Sequence, residues 1–134
     1  METQEFFKKW KKDSPKSFEE FKIFLEKQWY PFDDTYIDEY CNFWIEMGDD
    51  RKSELPFEML TGIIEKFFEE NDFGFEFRII KEYSPHKVYF CCSVLNLEPY
   101  KDLMLYIFSN VKTKQEAKIS AYLKAAEILE RELD

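Results

Sequence analysis

From Phe75 to Leu133 the chain reads FEFRIIKEY (75–83), a turn at SPHK (84–87), VYFCCSVLNLE (88–98), a break at PY (99–100), KDLMLYIFSN (101–110) and TKQEAKISAYLKAAEILEREL (113–133). Three runs rich in β-branched and aromatic residues, divided by short breaks and followed by a long helical pattern, predict an antiparallel meander with a helix laid across one face. In the closing helix Ile119, Tyr122, Ala126, Leu129 and Leu133 recur at intervals of three and four, and Ala125 widens the stripe. Thr113, with Glu116 three residues on, predicts a capped start close to Lys114. Lys118, Lys124, Glu127, Glu130 and Arg131 are expected in water.

The strands differ among themselves. Phe75, Phe77 and Ile79 alternate with Glu76 and Arg78, the pattern of one buried and one wet face. In the next two runs both faces are apolar: Val88, Phe90, Cys92 and Val94 oppose Tyr89, Cys91 and Leu95, and Leu103, Leu105 and Ile107 oppose Met104, Tyr106 and Phe108. Such a sheet must be covered twice. Two helices can cover one face, which leaves the other to the N-terminal helices, to a partner or to a homodimer formed through the sheet face. Periodicity alone leaves Leu103–Phe108 open between strand and helix.

Upstream, Thr3 can cap a short, fraying helix with Phe6, Phe7 and Trp10 on one side. Lys8, Lys9, Lys11 and Lys12 on its other side are either a nucleic-acid patch or a solvated lysine face. Ser17 and Glu20 form a second capping box for a helix that Pro31 stops near Trp29. A third helix is expected from Asp34 or Thr35 to Gly48, because Ile37, Tyr40, Cys41, Trp44 and Ile45 follow helical spacing. DDRKSE (49–54) reads as a polar link. A fourth helix runs from about Pro56 to Glu70 on Phe57, Leu60, Ile63, Ile64, Phe67 and Phe68, with Gly62 inside it permitting a close approach. Asn71-Asp72 and Gly74 then turn the chain into the first strand. The expectation is one α+β domain, residues 1–134: a helical leader (1–55) packed on an α-β-β-β-α core (56–134).

With 134 residues, 45% of them hydrophobic and 19% aromatic, the chain can bury a core despite 35% charge. Its net charge of −9 is uneven: residues 1–73 hold 10 Lys/Arg and 19 Asp/Glu, and residues 74–134 hold nine of each. An acidic balance argues against non-specific binding to nucleic acid or an anionic membrane, and is either a well-solvated surface that keeps the chain soluble or a face for a partner with a basic surface. Packed side by side, the third and fourth helices would merge Asp34 and Asp38 with Glu54, Glu58, Glu65, Glu69 and Glu70 into one negative face. Cys41, Cys91 and Cys92 make no disulfide framework, and with one histidine they leave too few soft ligands for zinc. A polar N-terminus without signal peptide or spanning segment predicts an intracellular, reduced setting. No nucleophile elbow or phosphate loop stands out, so neither catalytic residues nor a cofactor are expected.

The order helix, three antiparallel strands, helix from Pro56 to Leu133 resembles the double-stranded-RNA-binding domain. That family places a histidine between its first two strands and a KKxAK cluster at its last helix; here SPHK (84–87) and KTKQEAK (112–118) stand in those positions. The resemblance implies RNA contacts through His86, Lys87, Lys112, Lys114 and Lys118, made to phosphates and 2′-hydroxyls across minor grooves. In size, acidity and layout the chain also resembles small phage and prophage proteins that inhibit host defence, the anti-CRISPR type among them. That resemblance implies a non-enzymatic inhibitor in the bacterial cytoplasm, binding a CRISPR effector.

Overall fold

The computed structural model describes residues 3–28, 34–48, 51–83, 86–96, 103–111 and 113–133, with backbone alone at Met47, His86 and 103–111. The chain is α+β, with four helices and two small antiparallel sheets. In order these are α1 (Thr3–Asp13), α2 (Pro15–Glu26), β1 (Thr35–Ile37), β2 (Phe43–Met47), β3 (Arg51–Glu54), α3 (Phe57–Glu70), β4 (Phe73–Tyr83), β5 (His86–Asn96), β6 (Leu103–Val111) and α4 (Lys114–Glu132). The chain folds as two compact units, residues 1–67 with 126–134, and residues 68–125, so their borders fall inside α3 and α4.

The first unit is built on aromatic rings. Phe6, Phe7 and Trp10 of α1 are buried, so this helix is held down rather than frayed. Phe7 stacks on Phe21 and Phe43 with centroids 5.9 Å apart, Trp10 stacks on Phe21 at 4.9 Å, and Phe6 meets Phe57 edge-on at 5.2 Å. Offset and edge-on geometries of this kind add to the burial of large apolar surfaces. The Trp10 indole N–H donates to Ser17 Oγ at 2.8 Å, and that hydroxyl donates to the Ser14 carbonyl at 3.1 Å.

Ser17 is therefore not the cap expected of it. Helix α2 starts at Pro15, whose missing N–H suits the first turn, and Ser14 sits at the cap without a side-chain bond. The open N–H groups of Lys16 and Ser17 instead donate to the Glu130 carboxylate, at 3.2 and 2.8 Å, so Glu130 is not a solvent-facing charge. The helix ends at Glu26, and Trp29 and Pro31 lie outside the described residues.

The expected third helix is a sheet. Strands β1, β2 and β3 pair antiparallel in sequence order, with Tyr36 opposite Trp44 and Trp44 opposite Glu54, and the expected DDRKSE link supplies β3. Turn chemistry overrides the helical spacing. Asp38 accepts the N–H groups of Tyr40 and Asn42 at 2.9 and 3.0 Å, an Asx turn that sends the chain back at Cys41, whose φ is 65°. The turn is then pinned by the Trp44 indole, which donates to Asp38 at 2.8 Å.

The second unit holds sheet β4-β5-β6, with β4 and β5 in register from Phe73–Asn96 to Tyr83–His86 and β6 antiparallel to β5. Leu103–Phe108 is thus strand. Asn71 and Asp72, the latter at φ 67°, make the turn out of α3; Gly74 is inside β4 and not part of the turn. Phe75 meets Tyr122 edge-on at 5.0 Å, and the Lys118 ammonium lies 5.1 Å from the Phe77 ring centre. Helix α4 buries Ala117, Ile119, Ala121, Tyr122, Ala125, Ala126 and Leu129, and Thr113 caps it by accepting the Glu116 N–H at 3.1 Å. Leu133, expected on the buried stripe, is exposed just past Glu132, the last residue of the helix. Ile79 and Val88, expected inside, are 63% and 59% exposed, since they lie along the hairpin toward its tip.

Candidate functional site

The acidic residues separate once the third helix is gone. Asp34 is exposed in the turn ahead of β1, where its carbonyl accepts the Glu46 N–H at 2.9 Å. Asp38 is half-buried and occupied by the turn. Burial pushes its pKa up, but the Trp44 indole, the Asn42 and Tyr40 N–H groups and the Asn42 side chain together outweigh that and hold it below the ordinary carboxylate value. Asp38 is therefore a positioning group for the turn and no part of a merged acidic face. Glu54 is exposed at the end of β3.

The remaining acids lie on α3. Phe57, Leu60, Ile63, Ile64, Phe67 and Phe68 fill its buried side, so Glu58, Glu69 and Glu70 stay exposed and Glu65 is half-buried. Glu58, Glu65 and Glu69 recur at intervals of seven and four, which is one stripe of a helix. Glu58 is in the first turn, where the helix dipole favours a carboxylate. Glu69 and Glu70 are in the last, which has no basic residue and where the dipole opposes them.

The lysines of the alternative site fall in two places. His86 and Lys87 open β5, opposite Tyr83 and Glu82, and Lys87 is exposed. Lys112 lies outside the described residues. Lys114 lines an open cleft of about 140 Å³ together with Phe77, Arg78, Ile79, Phe90, Cys91 and Ala117. Lys118 lies over Phe77, one of the cleft's rings. His86 is four residues along β5 from Phe90, about 13 Å at the rise of a strand. The cleft was missed by sequence reasoning, which assigned Phe77, Ile79 and Phe90 to a buried core; Lys114 and Lys118, in the first turns of the helix expected over that face, were the available signal.

The three cysteines are buried thiols, outside any disulfide. Burial pushes the Cys41 thiol up, and the nearby Lys11, Lys8 and Lys22 offset this only in part, so it stays protonated. Tyr89 donates its hydroxyl to Glu82 at 2.7 Å, and that bond raises its pKa. Among the described residues no group of three or more His, Cys, Asp or Glu side chains is placed to hold a metal ion, and no helix is long and apolar enough to cross a membrane. Comparison with family models, with curated proteins and with solved structures finds no match to this chain.

Proposed function

We propose that this is a non-catalytic interaction protein, an acidic inhibitor that docks on the basic surface of a nucleic-acid-handling protein of its host. The observation that carries this reading is the placement of Glu69 and Glu70, exposed in the last turn of α3 against the helix dipole. Helix physics gives no reason for two carboxylates there, whereas a basic partner does. Glu58 and Glu54 supply further exposed charge on and just before the same helix. The resemblance to small phage inhibitors supplies the class of target, an RNA-guided nuclease whose channel holds nucleic acid with lysine and arginine.

Electrostatics of this kind mainly accelerates encounter. Reversing Glu58, Glu69 and Glu70 to lysine should slow association with the partner at low salt by about tenfold. The partner is to be captured from nuclease-treated host lysate, so that an RNA bridge is excluded. An association rate indifferent to all three reversals, with the melting curve intact, would remove α3 from the interface.

A second reading, an RNA-binding module, is favoured by the cleft where Lys114 and Lys118 of α4 stand beside Phe77 and Phe90. Rings beside cations are the means by which proteins hold unpaired bases and phosphates. Retention on single-stranded or duplex RNA at low salt that falls when Lys114 and Lys118 are replaced would favour it; retention on neither would set it aside.

A further inference from the structure

Strand β4 is an edge of its sheet, and six of its residues run clear of the core. Arg78, Ile79, Lys81, Glu82 and Tyr83 are exposed and Ile80 is half-buried. No strand pairs with its outer side among the described residues, so that side presents a row of backbone donors and acceptors. We infer that this edge pairs antiparallel with the β4 edge of a second copy of the chain, forming a continuous six-stranded sheet about a two-fold axis at Ile80. This inference is independent of the acidic-face reading above.

The choice of a second copy rests on charge. The protein carries −9, yet β4 holds Glu76, Arg78, Lys81 and Glu82 and is neutral, so two copies can approach there without the repulsion they meet elsewhere. The register follows from the same four residues. If the outward and inward faces are to remain continuous across the axis, the axis must pass through a residue of β4. On Arg78 or Lys81 it sets a like charge against itself, and on Ile79 it sets Glu76 against Glu82 of the second copy. On Ile80 it sets Arg78 against Glu82 of the second copy, twice over, with Ile80 against Ile80 between them. The opposite face then pairs Phe77 with Tyr83 and Ile79 with Lys81, covering part of the exposed apolar tip. Within one chain Arg78 already pairs with Glu76, and Glu82 accepts the Tyr89 hydroxyl, so both interfacial groups stand on the exposed face that needs them.

Sedimentation of the full chain from about 5 µM to 500 µM tests the pairing, a range that brackets modest dimer affinities. The unaltered protein should shift from monomer to dimer across it. Arg78→Glu should weaken the dimer at least tenfold, Ile80→Lys should do the same by placing like charges on the axis, and Arg78→Glu with Glu82→Arg should restore it. Melting curves of each variant, expected near that of the parent because Arg78 and Glu82 are exposed and Ile80 is only half-buried, separate lost pairing from lost folding. A chain that stays monomeric throughout overturns the inference and leaves the edge to an extended segment of another protein or to water. A dimer untouched by Arg78→Glu, or not restored by the double exchange, overturns it as well.

Discussion

Asp38 is a residue whose role its own neighbourhood decides. Four donors converge on one carboxylate, and the ionised form is what they hold. Its folded pKa lies below the unfolded one, so it contributes stability above about pH 3.9 that is lost as pH falls through the folded value. Asp38→Asn puts an amino group where the Trp44 indole needs an acceptor, and should cost about 1–2 kcal/mol at pH 7. Urea unfolding followed from pH 7 down to 2 should show the gap between the two proteins narrowing at the acid end; a constant gap would place the acid sensitivity elsewhere. Ser17 is the buried counterpart. Ser17→Ala leaves the Trp10 N–H without its acceptor and should lower stability by about 1–3 kcal/mol, measured by the same unfolding, while Ser17→Thr retains the hydroxyl. Neither role was legible in the sequence, where Asp38 read as a free surface charge and Ser17 as a cap. Both depend on a partner, Trp44 or Trp10, that only the folded backbone brings within reach. Glu130 is further still from a sequence reading, because the N–H groups it accepts are more than a hundred residues away.

Whole elements were legible where length and period agreed. Helices α3 and α4 begin and end close to where caps and apolar spacing predicted, and the meander between them is antiparallel in the expected order. The failure between Asp34 and Gly48 has a physical source: in a run of about 14 residues the same apolar positions serve either period, and a five-residue Asx turn decides between them. Gly62 shows a smaller error of the same kind. Its place in the helix suggests a close approach by another element, but a methyl group at Gly62 would meet nothing within 4 Å and its φ is not positive. Gly62→Ala should therefore stabilise the protein by about 0.5–1 kcal/mol, raising the melting temperature without altering partner binding. Ala126 is the opposite case, 1% exposed on α4. Ala126→Asp would bury an unpaired carboxylate and should cost about 3 kcal/mol or more; a normal melting temperature would contradict the buried placement of that face.

At the scale of the molecule the excess of acid in residues 1–73 is a cost as well as a resource, since like charges repel in the compact state. The two carboxylates closing α3 sharpen that cost because the helix dipole opposes them. If they are there only to keep the chain in solution, replacing them with lysine should improve stability and alter nothing else. If they are there for a basic partner, the same replacement should separate two properties that usually move together. Glu69→Lys with Glu70→Lys is accordingly expected to raise stability by about 0.5–1 kcal/mol in low salt, to lose most of that gain in about 0.5 M salt, and to slow partner association several-fold. Thermal melts at the two salt concentrations measure the first effects, and association kinetics at low salt measures the last. Stabilisation with unchanged association would make the acidic turn a matter of solubility, and the interface would then have to be sought on the sheet. Destabilisation would mean instead that Glu69 or Glu70 holds a structural contact, and the dipole argument would fail at its first step.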